Sequence, residues 1–401
     1  MKIGVVFEGN PLAGGGFHDG ITATLLVGKL SGDYEFVYYV LSKENLVHTY
    51  KSNIDAKLIS FGRTQRIIHK LRTNLTVKKI LGKWSCFDSF DKQFERDDID
   101  LVYFTSPNPL SFFLERLNFV IPVWDLCHRD HPEFPEVREN HEFDAREKFF
   151  TSVLPKSTAV IAESPFGREA LIRRYNLDPD KVHFIWKPPS EKIIQLSKIK
   201  SLFDPRSHCQ LPKDAKYIFY PAQFWPHKNH RLIIDALKNL RFNSNTDIFA
   251  IFCGSDCGNL QKVLAYAKQS KVDDLVIYVG FAPDEHISNY YKQSVALVMP
   301  SYFGPTNMPP VEAFILGTPA VVADLPGFKE QIGDAGIAID PSNPKQLAHV
   351  LFRLSKDNDF RNEIITKGAK RAEMFCDSKR LATIDGIFQN FNNKRRLWKF
   401  R

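Results

Sequence analysis

Short apolar runs recur along the chain, separated by longer stretches of mixed, helix-like character. In the first half they are KIGVVF, EFVYYVL, AKLISF, DLVYF, NFVIPVW, TAVIA and KVHFIW. In the second half they are KYIFYPA, DIFAIFCG, DLVIYVG, VALVMPS and PAVVA. Continuous rather than alternating apolarity, rich in Val, Ile, Phe and Tyr, marks strands buried on both faces, as in parallel sheets. Strands that alternate with helices build βαβ units. Lys187-Pro188-Pro189-Ser190 continues neither a strand nor a helix and reads as a linker. The expected fold class is therefore α/β, with two doubly wound, Rossmann-like domains facing a cleft. The expected extents are 1–187 and 188–376, followed by a helix and basic tail over 377–401 that pack back toward the first domain.

Size agrees with this division, because 401 residues exceed one ordinary core. An apolar share of 43% and a charged share of 25% exclude disordered and fibrous classes. The formal charge of +8 points to an anionic partner, either a nucleotide, a nucleic acid or an acidic membrane surface. The six cysteines are scattered without zinc-ligand spacing, which predicts reduced thiols and a cytoplasmic protein. MKIGVVFEGN is interrupted too early for a signal peptide. No apolar run reaches the roughly 18 residues of a membrane span.

Ligands of such sheets bind beyond the carboxyl ends of strands. The first strand opens into Gly14-Gly15-Gly16 and a helix predicted from Phe17 to about Leu30. Glycines there let backbone N–H groups approach an anion. His18 and Asp19 sit at that helix mouth, within reach of a polar substrate or as simple caps. NFVIPVW ends in Asp125, His128, Arg129, Asp130 and His131, more polar groups than a turn requires. KYIFYPA leads to Lys228 and Arg231 at a predicted helix start, a pattern suited to phosphate. After VALVMP, Thr306 and Asn307 precede Pro309-Pro310, so backbone N–H groups of that turn are expected to be free for an anion. Glu312 is predicted in the first helical turn, favoured by the helix dipole or accepting two hydrogen bonds from a ribose diol. The Asp98/Asp100 and Asp178/Asp180 pairs precede strands, so they are expected at the amino edge, away from any cleft. No metal site is expected.

The second half resembles the donor-binding domain of glycosyltransferase family 4, with the GT-B fold. The resemblance rests on PAQFWPHKNH, FCGSD, YVGFAPDEHISNYYKQSVALVMPS, FGPTNMPPVEAFILGTPAVVAD and GDAGIAIDP. In the first half it rests only on Gly15-Gly16 and the strand-end WDL. The second Glu of the family's Glu-x7-Glu motif falls on Glu312, which implies a ribose contact, and the first falls on Gly304. The family's diphosphate-binding Lys falls on Lys228, and its Arg partner falls on Gln223. The family's strand-end His falls on Trp124, followed by Asp125. The resemblance implies a donor site of Gly15, Gly16, Gln223, Lys228, Gly254, Phe281, Thr306, Asn307, Met308 and Glu312. Lys228, Asp125 and His128 are the implied catalytic residues, and His18, Asp19, Arg129 and His131 the acceptor side.

The implied activity is retaining, metal-independent transfer of a hexosyl group, such as mannose or rhamnose, from a nucleotide sugar. The implied acceptor is a hydroxyl of a growing, lipid-linked bacterial surface glycan of the O-antigen type. The alternatives are a sugar-nucleotide epimerase of the same fold and a catalytically weak partner subunit. Between Asp55 and Asp88 there is no acidic residue, while Arg63, Arg66, Lys70, Arg72, Lys78, Lys79 and Lys83 cluster there. Lys394, Arg395, Arg396, Lys399 and Arg401 add a second basic segment beside Trp398 and Phe400. Basic amphipathic segments dock on anionic leaflets, so peripheral placement on the inner leaflet is an expectation. No nucleic-acid-binding motif accompanies the charge, and nucleic acid is not an expected partner.

Overall fold

The protein is described by a computed structural model that covers residues 1–9, 15–59, 89–199, 203–304 and 306–398. The first parallel sheet holds β1 (Lys2–Phe7), β2 (Glu35–Val40), β3 (Ala56–Leu58), β4 (Leu101–Phe104), β5 (Asn118–Val123), β6 (Ala159–Ala162) and β7 (Val182–Phe184), in the order β3-β2-β1-β4-β5-β6-β7. The second holds β8 (Tyr217–Pro221), β9 (Phe249–Cys253), β10 (Val276–Tyr278), β11 (Leu297–Met299), β12 (Ala320–Ala323) and β13 (Ile337–Ile339), in the order β10-β9-β8-β11-β12-β13. Every pairing is parallel. In each sheet the first strand lies in the middle and the chain winds outward both ways. The switch points therefore fall at β1/β4 and β8/β11, where the ends of diverging connections leave a crevice. The apolar runs predict β1 to β12. β13 is absent from them because its three residues lie between glycine and aspartate.

Fully buried runs explain the parallel sheets. β4, β6, β11 and β12 have every residue buried, and covering both faces satisfies such strands. The second core forms one cluster around β8, β9, β11 and β12. The first sheet has separate clusters on its two faces. One of them is closed by the helix Asp377–Arg395: Ile384, Ile387, Phe388 and Phe391 pack on Ile3, Val5, Tyr103 and Ile161. The Tyr34 hydroxyl donates to Asp385 at 2.7 Å, and Arg395 pairs with Asp100 at 2.7 Å. After the helices Pro344–Lys356 and Asn358–Ala372 on the second domain, the chain thus returns to the first. It crosses between the domains twice.

Asp100 also accepts from the Lys2 amide at 2.9 Å, and Asp178 caps its own turn by accepting from the Asp180 amide. Both Asp-x-Asp pairs precede β4 and β7 and so lie at the amino edge of the first sheet. The basic cluster from Arg63 to Lys83 lies outside the described residues, as do Lys399, Phe400 and Arg401. Among the described residues no helix is long and apolar enough to cross a membrane.

Phe388 is completely buried and meets the rings of Tyr34 and Tyr103 edge-on at 5.6 and 5.8 Å. Phe388→Ala is expected to destabilise the first domain by about 3–5 kcal/mol through transfer and cavity costs. Urea unfolding should show an earlier first transition, with the second-domain transition unmoved.

Candidate functional site

A cavity of about 320 Å3 opens at the carboxyl ends of β8, β9 and β11. Pro221, Ala222 and Gln223 close one side, Cys253, Gly254 and Ser255 another, and Met299, Met308 and Glu312 the floor, with Phe281 at the rim. A second cavity of about 450 Å3 adjoins it between the domains. The two share Gly16, Lys187, Lys228 and Asn307. One continuous crevice therefore runs from the second sheet to the first.

Backbone chemistry positions the second-domain residues. Gly254 has φ of +152°, and a Cβ there would lie 2.3 Å from the Ala222 carbonyl oxygen. Only glycine lets β9 end this close to β8. Lys228 closes the short 3-10 turn Pro226–Lys228; Asn229, in the left-handed region, then starts the helix His230–Ser244. The Tyr220 hydroxyl holds the turn by donating to the Lys228 carbonyl at 2.9 Å. Burial lowers the Lys228 ammonium to about 8. The Trp225 indole N–H donates to the Gln223 side-chain oxygen at 3.1 Å.

Glu312 is buried and accepts from the Tyr291 hydroxyl at 3.2 Å. Desolvation raises its carboxyl to about 7, against the hydrogen bonds from Tyr291 and the Ser190 backbone. The helix runs Met308–Ile315, which puts Glu312 beyond the first turn. Its presence is therefore not explained by the dipole of exposed N–H groups, which fades after the first turn. The Asn307 amide is also not free, since it donates to the Gln331 side chain at 3.1 Å. Thr306 is buried, with its hydroxyl donating to Glu163 at 2.9 Å. Arg231 leaves the crevice, stacking on Tyr266 and approaching Asp235 at 3.8 Å.

The first helix spans Gly15–Val27, so His18 and Asp19 lie inside it rather than at a cap. The side chain of His18 is outside the described residues, as are Gly14 and the residues before it back to Asn10. Asp19 is buried, 3.9 Å from the Lys187 ammonium. A Cβ on Gly16 would come within 3.1 Å of the Trp124 ring, so the glycine permits that close approach. Asp125 lines the interdomain cavity. It accepts from the Cys127 amide at 2.9 Å and from Arg146 at 2.6 Å. Burial would raise its carboxyl, but Arg146 outweighs that and holds it below the usual range.

His128, expected in catalysis, is withdrawn from the crevice. It is fully buried between Phe143 and Phe150, with Nε2 2.6 Å from Glu147. The helix Glu142–Val153 carries Glu147 and claims Arg129 as well. Arg129 also stacks on Tyr175, so the predicted acceptor contact becomes a structural ion pair. Asp130 pairs with Arg174. Of this run beyond Asp125, His131 faces the other domain, with its ring 5.8 Å from that of Phe303, and Asp130 lines a small pocket with it against Tyr302.

Three functional candidates lie in the crevice that the sequence reading does not single out. Lys187, assigned to a linker, lies in the crevice wall, with its ammonium 3.2 Å from Glu163 and 5.2 Å above the Trp124 ring. Glu163 comes directly after β6 and lines the interdomain cavity. His227 receives Glu136 from the first domain on both its amide and Nδ1, and its ring stacks on Phe303 at 4.1 Å. The carboxyl-end rule carries a signal for two of them. Applied to TAVIA and KVHFIW, it points to Glu163 and to Lys187, three residues after Phe184. Two further links join the domains: the Gly304 amide donates to Cys127 Sγ at 3.2 Å, and the Phe166 amide to Glu330 at 2.8 Å.

Comparison with known proteins agrees with this geometry. Residues 46–188 match the family described as Glycosyltransferase Family 4, and residues 204–371 match Glycosyl transferases group 1. The O-antigen chain mannosyltransferase B of Escherichia coli is 24% identical over 70% of this chain and 72% of that protein. A D-inositol 3-phosphate glycosyltransferase of Streptomyces bingchenggensis is 24% identical over 59% of this chain; the match spans 54% of that relative. Among solved structures, Anabaena HepE in complex with UDP superposes with a TM-score of 0.72 at 16% identity, over 97% of this chain and 99% of that one.

The raised Glu312 carboxyl has a sign. Its folded value of about 7 lies above the ordinary 4.5, so the folded state binds the extra proton. Stability should then fall as pH rises from 4.5 to about 7, by at most about 1.4 kcal/mol per pH unit from this group. Glu312→Gln is expected to flatten that slope in urea unfolding measured between pH 5 and pH 8.

Proposed function

Since the chain belongs to glycosyltransferase family 4 and is a glycosyltransferase of the GT-B fold, we propose that it moves a hexosyl group from a nucleotide sugar to a glycan hydroxyl with retention of configuration. The observation that carries this is the juxtaposition of Lys228 and Glu312 in one cavity at the β8/β11 switch point. Glu312 accepts the ribose hydroxyls, and Lys228 binds the diphosphate as it departs. Fixed positive charge aimed at a developing anion is a large source of rate acceleration. The chain's own residues hold the donor without a metal in this scheme, and the departing phosphate takes the acceptor proton. Asp125, locked to Arg146, is a fixed anion facing the transferred sugar, where positive charge develops in the transition state. Acceptor entry is from the first-domain side of the crevice, past Phe17, Trp124 and Asp125.

The names of the E. coli relative and of the UDP-bound structure support a nucleotide-sugar donor and an O-antigen-type acceptor. The transferred sugar in this reading is mannose or a related hexose such as rhamnose. An epimerase would need acid–base residues of its own, for which His128 or His131 could serve; it is less well supported, because His128 is buried and paired. Lipid-linked acceptors place the enzyme at the inner leaflet, which the basic stretch of the sequence favours.

Lys228→Ala and Glu312→Ala are each expected to cut turnover at least tenfold with circular dichroism unchanged, each lost charge-assisted contact costing roughly 2 kcal/mol. Activity of the unaltered chain should survive excess EDTA. Full activity in either folded variant, or loss in EDTA reversed by manganese, contradicts the proposal. Flotation should carry the protein with anionic liposomes at low salt and release it at high salt. Protein that stays behind under both conditions removes the membrane element.

A further inference from the structure

The donor crevice contains two ammonium groups, not one. Among the described residues, Lys187 and Lys228 are the only Lys or Arg side chains lining its two cavities. They come from different places in the fold: Lys228 from the turn after β8, Lys187 from the segment after β7. Position 223, where the family resemblance puts an arginine, carries an uncharged glutamine.

Lys187 is held in place. Its side chain is 12% exposed, with the ammonium 3.2 Å from Glu163 and 3.9 Å from Asp19. Glu163 is itself anchored by the Thr306 hydroxyl at 2.9 Å. An ammonium has three donors, and among the described residues that of Lys187 forms a single hydrogen bond, to Glu163. The other two are available beside Gly16 and Trp124 at the junction of the cavities. Lys228 has neither a hydrogen bond nor an ion pair to its ammonium among the described residues, and the charge of Lys187 is one of the influences that lower its pKa. Two like charges lining one cavity repel, and that arrangement is relieved when an anion lies between them.

We propose that Lys187 is the second cation of the donor diphosphate site, binding the diphosphate jointly with Lys228 across the two domains. Glu163 is a positioning residue, which keeps the Lys187 stem at the cavity wall. This inference rests on the donor reading of the same crevice. It adds that half of the diphosphate charge is neutralised from the first domain, by a residue outside the second-domain motifs. The phosphate-binding charge is then complete only while the domains face each other.

The test is calorimetric binding of UDP, GDP and dTDP to the full chain and its variants. Lys187→Ala is expected to weaken binding of whichever diphosphate the unaltered chain accepts by at least tenfold, with Lys187→Arg retaining most of it. Adding Gln223→Arg to Lys187→Ala should restore affinity from the opposite wall, which a merely structural role of Lys187 does not allow. Lys187→Ala leaves two buried carboxylates without their cation, so the paired variant Lys187→Met, Glu163→Gln serves beside it. Removing both partners together leaves one uncompensated carboxylate, Asp19, in place of two, and this variant should be folded and equally weak in binding. Unchanged affinity in the folded variants overturns the inference while the donor reading stands. Failure of the unaltered chain to bind any of the three overturns both.

Discussion

A buried ammonium keeps its ordinary hold on its proton only where a carboxylate offsets the burial; without one, as at Lys228, its pKa falls. Lys187 meets that condition with Glu163 and Asp19, whose carboxylates outweigh burial and keep its pKa above the ordinary value. Much of the crevice depends on this pair. Glu163 binds Thr306, Thr306 belongs to the loop that ends β11, and the same loop carries Gly304 to Cys127 and Phe303 to His227. The ion pair of one domain is thus tied to the ligand loop of the other. Glu163 bears the cost of this arrangement: desolvation leads, and its carboxyl rises to about 7 despite Lys187.

The scaffold was legible because parallel strands bury both faces. Runs such as DLVYF and VALVMPS, continuously apolar and rich in Val, Leu and Phe, suit strands covered on both faces. In the second-domain cavity Lys228 and Glu312 were legible from their strand ends, while Gly254 and Met308 came only with the family resemblance. Lys228, Gly254, Met308 and Glu312 sit at strand ends or just inside the next helix, where short connections leave the backbone little freedom. Gly254 is the sharpest case, since a single carbonyl oxygen excludes every side chain there.

The first-domain half was harder to read, and His128 shows why. A histidine after a strand looks the same whether it faces the crevice or the core. The choice is made by Glu147, nineteen residues away on another helix. The same helix claims Arg129, and Arg146, one residue earlier, claims Asp125. Long-range pairs of this kind leave no local spacing to detect. Lys187 was obscured by its neighbours: two prolines after it mark a linker correctly, yet a linker that crosses a cleft also lines it. In the second domain Gly304 was also hard to read, because its φ of +91° and its bond to Cys127 fit a loop that supplies backbone rather than a carboxylate.

The return of the helix Asp377–Arg395 to the first sheet has a consequence for how the molecule is made. Chains leave the ribosome amino end first, and domains usually fold as units in that order. Here the face of β1 and β4 that bears Ile3, Val5 and Tyr103 is covered in part by Leu26 and Val27 of the first helix, and lacks the rest of its cover until Ile384, Phe388 and Phe391 have emerged. The second domain, from its strand β8 to the helix ending at Ala372, is contiguous and complete by then. Vectorial synthesis therefore finishes the later-encoded domain first, and the earlier one waits with part of an apolar face open to chaperones.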